Sequence, residues 1–282
     1  MTTGVVMPWF PDFVAAAELA RRGTRAAGQS DPVAQYVTAL TGGDAHALET
    51  TWPGDIVVLD PYAGEVHGPR QLRHFFHASE SFLSDRLVGA EQVATTSVPG
   101  RAVVELLAHL QLDGEAVNWP VAVVAESSDD RSVTFRTYGS QWPVVGSRPV
   151  RAPILHADLS AEPGDVVARY LDALDAGDRD GVVATFTTDG CVREPIGPDA
   201  LHRGRAELDD YFSWCFSAGG GVGLERCRVT DDDVCCALEH NCVRWGNKPF
   251  PAQAGLAVFE RGAGGLLAAV RYYDDVEAPV DR

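Results

Sequence analysis

Apolar residues fall into two rhythms along this chain, and the same succession of rhythms is written twice. Between residues 31 and 41, Val33, Tyr36, Val37 and Leu40 recur at helical spacing behind an Asp-Pro pair suited to a helix start, and Gly42-Gly43 follows. Residues 163–176 repeat the pattern and stop at Gly177. A short helix is predicted next (45–52 and 179–186), then a strand (56–60 and 191–194), a Gly/Pro loop, and a third helix (69–82 and 205–216). After that the period drops to two. Strands are predicted at 93–97, 102–112, 120–125 and 132–138, and again at 225–229, 233–244, 254–259 and 266–273. An extra helix is expected over residues 12–28.

The repetition extends to identities. Tyr36-Val-Thr-Ala-Leu-Thr-Gly-Gly-Asp44 returns as Tyr170-Leu-Asp-Ala-Leu-Asp-Ala-Gly-Asp178. Asp60-Pro61 returns as Glu194-Pro195, and Gly89-x-Glu91 as Gly223-x-Glu225. The chain is a tandem duplication. Its expected organisation is an N-terminal extension (1–30), a first unit (31–143), a Pro/Ser-rich linker (144–163) and a second unit (164–282). Consecutive strands at the end of each unit predict a mostly antiparallel sheet with three helices packed on it, an α+β class.

Composition narrows the function. The net charge is -17, from 40 acidic and 23 basic residues, and both halves share the excess. No basic stripe is present to meet phosphates, so neither nucleic acid nor an anionic membrane is an expected partner. No apolar run reaches 18 residues, and the N-terminus lacks the basic start of a signal peptide. All six cysteines lie beyond residue 190 without C-x-x-C spacing, which suits reduced, buried thiols and a cytoplasmic location. Lys248, the one lysine, sits in a turn and is a poor Schiff-base candidate. His67, His74 and His77 lack the carboxylates that would complete a metal site, and no Gly-x-Ser-x-Gly elbow is present.

The segments "YLDALDAGD", "FTTDGCVREPIGP" and "HRGRAELDDYF", with "VVLDPYAGEVHGPRQLRHFF" in the first half, resemble the SnoaL-like and ketosteroid-isomerase-like superfamily. That resemblance implies two tandem cone-shaped units, each wrapping a curved sheet around a deep, mostly apolar cavity. It also implies a hydrophobic small-molecule substrate and chemistry resting on one or two cavity carboxylates, with no cofactor. Family isomerases use a helix tyrosine and an Asp before Pro; Tyr36 with Asp60, and Tyr170 with Glu194, match them. The plan looks closest to the fused epoxide hydrolases that cyclise polyether polyketides. Their carboxylate dyads would correspond to Asp60 with Glu91 and Glu194 with Glu225. The two units are expected to pack as a fused version of the family dimer, leaving the chain a monomer.

Strand alternation places Ile56, Val58 and Asp60 on one face. A carboxylate at the end of such an apolar row loses hydration, and two in one cavity split their protonation. One can then protonate an epoxide oxygen while the other takes a proton from the attacking hydroxyl. The expected catalytic residues are therefore Asp60, Glu91, Tyr36, Glu194, Glu225 and Tyr170, with Trp119, His109, His240 and Trp245 contacting substrate. The expected activity is acid–base ring formation in secondary metabolism, by intramolecular epoxide opening or a related closure. Two alternatives are an isomerase or aldol-type cyclase with a single Asp or Glu base, and a non-catalytic ligand-binding protein.

Overall fold

The computed structural model describes residues 49, 52–83, 86–127, 131–197 and 200–276. The expected helices at 12–28 and 31–41, Tyr36 included, lie outside these residues. The chain divides into two compact units between Gly139 and Ser140.

Unit one runs β1 (Ile56–Asp60), β2 (Gly64–His67), α1 (Pro69–Leu83), β3 (Leu87–Val98), β4 (Arg101–Leu112), β5 (Glu115–Ser127) and β6 (Val133–Tyr138). Unit two opens with α2 (Trp142–Val145), α3 (Asp165–Ala176) and α4 (Arg179–Ala184). It continues with β7 (Phe186–Arg193), β8 (Leu201–Arg203), α5 (Gly204–Cys215), β9 (Val222–Asp231), β10 (Cys235–Trp245), β11 (Lys248–Arg261) and β12 (Leu267–Tyr272). Each unit forms one six-stranded sheet, in the orders β2-β1-β6-β5-β4-β3 and β8-β7-β12-β11-β10-β9. Every pairing is antiparallel except β1 with β6 and β7 with β12. Those two parallel pairs join the first strand of a unit to its last, across a helix and four strands, so the long connection that a parallel pairing requires is present. The α+β class is thus as expected.

Two expectations change. The Gly/Pro loop after β1 or β7 contains a short strand, too brief to register as a pattern, that folds back on its predecessor. The 144–163 segment is no free linker, because it packs on unit two. Asp158 N–H donates to the Arg226 carbonyl at 2.8 Å, Ala254 N–H to the Arg151 carbonyl at 2.8 Å, and the Asn241 side-chain amide to the Leu155 carbonyl at 3.1 Å.

Alternation along β10 sorts its residues. Cys236, Leu238 and Cys242 join a core with Val166, Tyr170 and Leu174 of α3 and Phe212 of α5. Cys235, Ala237, Glu239 and Asn241 point the other way and are also buried. A sheet covered on both faces needs apolar residues at nearly every position, which blurs the two-residue signal. One bulge recurs: an extra residue, Val93 in β3 and Cys227 in β9, stands against a continuous partner strand. All six cysteines are buried free thiols. Among the described residues no helix is long and apolar enough to cross a membrane.

The end of α3 meets the start of β9 with no room to spare. A methyl on Gly221 would overlap the carbonyl oxygens of Leu174 and Asp175, whereas one on Gly89 would meet nothing. Gly221→Ala is expected to lower stability by about 1–3 kcal/mol, read as a fall in the urea midpoint, with Gly89→Ala nearly neutral. Equal midpoints for the two variants would contradict this packing.

Candidate active site

Unit two holds a cavity of about 720 Å³ between its sheet and helices α3 and α5. Leu174, Phe212, Val222, Leu224 and Leu256 make most of its wall apolar. Polar side chains enter at chosen points: Glu194, Tyr211, His240, Tyr272 and the Asp274-Asp275 pair, with Arg148 beside them.

Glu194 sits directly after β7. Val192, two residues earlier, is in the helix-facing core, so alternation carries Glu194 to the cavity side. Its side chain is 12% exposed, and the His202 Nε2–H donates to its Oε1 at 2.7 Å. The His202 ring in turn stacks on Tyr211, with centroids 4.5 Å apart and planes 23° apart. A carboxylate on an apolar wall loses water on one side, and a bond of this length restores part of what was lost.

A second polar chain starts inside the core. The Tyr170 and Tyr272 hydroxyls lie 2.7 Å apart. Tyr272 lines the cavity, whereas Tyr170 is fully buried among Phe186, Phe212 and Phe259. Burial holds both phenols well above the ordinary tyrosine range, so each keeps its proton as a donor. Trp245 is anchored by its indole N–H, which donates to the Cys215 carbonyl at 2.7 Å. Burial also raises the Asp275 carboxyl, although the Ser140 hydroxyl donates to it at 2.6 Å. The same cause pushes His240 down to about 4, leaving it neutral.

Several expected site residues stand elsewhere. Glu225 is exposed and faces away from the cavity, since its neighbour Leu224 is the one that lines it. Glu225 pairs across the sheet with Asn241, on the outer face. Glu91 is 72% exposed and meets the His109 Nε2 at 3.2 Å. His109 also bonds Asn118 through Nδ1, on the face opposite Trp119. Neither carboxylate dyad forms, and His109 is not a cavity residue. The physical reason is alternation: both glutamates sit one strand position away from the cavity side. Tyr170 stands one layer behind the wall, with its hydroxyl against that of Tyr272. His240 and Trp245 line the cavity.

Asp60 is buried, and its Oδ1 accepts the backbone N–H groups of Tyr62 and Ala63 at 2.8 and 2.9 Å, so it caps a turn. Trp119 is buried with its ring edge on Tyr62. Register aligns the two units closely and exposes a divergence. Val58 pairs with Val66 where Val192 pairs with His202. Leu106 pairs with Val121 where His240 pairs with Gly255, and Thr137 with Val123 where Tyr272 pairs with Ala257. The partners His202, His240 and Tyr272 therefore belong to unit two alone. Sequence reading missed His202, Tyr211 and Tyr272. At His202 the available signal was an internal difference, polar in one repeat and apolar (Val66) in the other.

The description "SnoaL-like domain" matches residues 33–135 and again residues 167–270. This chain belongs to the SnoaL-like domain family. Within it, 71 residues are 39% identical to a steroid Δ-isomerase of Nocardioides simplex, a stretch amounting to 25% of this chain. It spans 55% of that relative, about half of its length. Among solved structures, the chain is similar to the epoxide hydrolase/cyclase-like enzyme SalBIII of salinomycin pyran ring formation. There 38% of this chain covers 86% of that one, at 24% identity and a TM-score of 0.33. A SnoaL-like protein of unknown function from Burkholderia thailandensis is similar over 39% of this chain and 92% of its own, at 15% identity and a TM-score of 0.33.

His240 ties this SnoaL-like cavity to acid stability. The unfolded chain protonates an ordinary histidine near pH 6.5, while the folded protein keeps His240 neutral down to about pH 4. Its contribution is therefore complete above pH 6.5 and falls away as the pH drops towards 4. His240→Leu, which installs the residue found at the equivalent place in unit one, is expected to spare about 2 kcal/mol of the stability lost between pH 7 and pH 5. Denaturant midpoints across that range check it; identical acid slopes for the two proteins would contradict a neutral His240.

Proposed function

We propose that unit two is a cofactor-independent proton-transfer catalyst, an isomerase or aldol-type cyclase acting on a largely apolar ketone, with Glu194 as its base. The observation that carries this reading is the Glu194 carboxylate on the wall of an apolar cavity, oriented by His202 at 2.7 Å. Membership of the SnoaL-like family and the local likeness to a steroid Δ-isomerase support the class of chemistry.

In this account Glu194 takes a proton from the carbon next to the substrate carbonyl. The His202 N–H holds the carboxylate in one orientation throughout. Charge then develops on the carbonyl oxygen, and the Tyr272 hydroxyl donates to it. Tyr170, whose hydroxyl meets that of Tyr272, donates into the Tyr272 oxygen and so leaves the Tyr272 proton free to point inward. For isomerisation, Glu194 returns the proton to a different carbon. For ring closure, the carbanion attacks a second carbonyl of the same substrate. Both phenols keep their protons near neutral pH, since burial raises them.

Ring closure by epoxide opening is the second reading, and one observation favours it. Asp275 shares the cavity with Glu194, and burial raises its carboxyl towards the protonated form that an epoxide oxygen requires. That pairing takes the place of the dyads with Glu91 and Glu225, which face away.

The test is turnover of a steroid-sized β,γ-unsaturated ketone to its conjugated isomer, followed by absorbance. Glu194→Gln is expected to reduce turnover by about 10²–10⁴-fold. Asp60→Asn, Glu91→Gln and Glu225→Gln are expected to leave it within twofold. Undiminished turnover in Glu194→Gln would overturn the assignment. Loss in Asp275→Asn on an epoxide substrate, with the ketone unaffected, would favour the second reading.

A further inference from the structure

The cavity wall of unit two carries a histidine that the proposed chemistry leaves unused. His240 lies in the middle of β10, on the face that lines the cavity, and is 4% exposed. Its Nδ1 is 3.3 Å from the Leu238 carbonyl oxygen. A carbonyl oxygen can only accept, so Nδ1 carries the proton. In a neutral imidazole the other nitrogen, Nε2, is then an acceptor with its lone pair available.

The cross-strand partner of His240 is Gly255, also in the cavity wall. A methyl at Gly255 would stand 2.8 Å from Nε2 and 3.1 Å from Cε1. Glycine at this position thus leaves room for the edge of the imidazole that carries Nε2. The other polar groups nearby are committed elsewhere: the Trp245 indole to the Cys215 carbonyl, and the Cys242 thiol to the Arg244 carbonyl at 3.8 Å. Leu224 and Leu256 belong to the same cavity wall, and the partner of His240 on β9 is Arg226. An acceptor in such a wall selects for a donor, because a ligand without one leaves Nε2 desolvated and unbonded. Unit one holds Leu106 opposite Val121 at this place and lacks the acceptor.

We propose that His240 Nε2 is the specificity-determining acceptor for a hydroxyl group on the substrate, so that the cavity takes a hydroxylated apolar molecule and discriminates against its deoxy or O-methyl counterpart. An uncharged hydroxyl fits better than an ammonium, since burying a cation costs far more than burying a hydroxyl. The inference rests on the reading of this cavity as a substrate site, but not on Glu194 being its base.

The experiment measures binding by isothermal titration of 2-naphthol, 2-methoxynaphthalene and naphthalene to the full-length protein, alongside the ¹⁵N resonance of His240 Nε2. Wild type is expected to bind 2-naphthol roughly tenfold more tightly than either analogue. Only 2-naphthol is expected to shift the Nε2 resonance. His240→Leu is expected to abolish the preference while still binding naphthalene, and His240→Gln, which restores an acceptor oxygen, to recover part of it. Circular dichroism shows whether each variant is folded. Glu194→Gln is expected to keep the preference even where it abolishes turnover. A preference that survives in His240→Leu but vanishes in Glu194→Gln would place the hydroxyl at Glu194 and overturn the inference while leaving the base assignment intact. Equal affinities for the three compounds, or binding of none, would also overturn it. Conversely, full turnover in Glu194→Gln with a His240-dependent preference would remove the base and keep the hydroxyl site.

Discussion

A carboxylate on the wall of an apolar cavity has to be compensated, and here His202 supplies a short hydrogen bond towards that. The Nε2–H of His202 reaches Glu194 Oε1 at 2.7 Å and its ring rests on Tyr211, so carboxylate, imidazole and phenol ring follow one another in a line of contacts. A carboxylate at such a wall gives up hydration, and a short hydrogen bond returns part of it. With that bond, the group stays where a substrate can meet it. The short β8 strand matters for the same reason: its antiparallel pairing with β7 is what delivers His202 to Glu194.

Divergence between the repeats follows from how a strand distributes its side chains. A substitution on the cavity face changes chemistry, and the same substitution one residue along changes only a surface or an outer layer. Unit two has His202, His240 and Tyr272 at cavity-side positions, where unit one has Val66, Leu106 and Thr137. Asp60 keeps the carboxylate but uses it to cap the turn through Tyr62 and Ala63. Duplication has therefore preserved the sheet order while the polar equipment has come to differ.

The architecture was legible in the sequence because it rests on features that repeat: the Gly177 helix stop, the third helix of each unit, and the four long strands that end it. The site was legible only in part. Glu194, His240 and Trp245 stand in the cavity, but Glu225 and Glu91 do not, and the error has one cause. A Gly-x-Glu motif at a strand start fixes spacing without fixing parity, and β3 and β9 each carry a bulge. His202 was hidden for another reason. A three-residue strand inside a Gly/Pro loop has too few positions to show a period, so nothing in the local pattern marks its side chain as inward. Tyr170 was read at the right place on its helix. Its hydroxyl meets Tyr272 only because β12 crosses behind it, a pairing set by tertiary structure.

Proton removal by Glu194 is the central claim, and it can be observed without knowing the product. The measurement is exchange of the α-protons of 2-tetralone in D2O, followed by NMR at neutral pH against the buffer rate. The account predicts that wild type accelerates exchange, that Asp60→Asn does so equally, and that Glu194→Gln exchanges no faster than buffer. Equal acceleration by wild type and Glu194→Gln, or none by wild type, would contradict it.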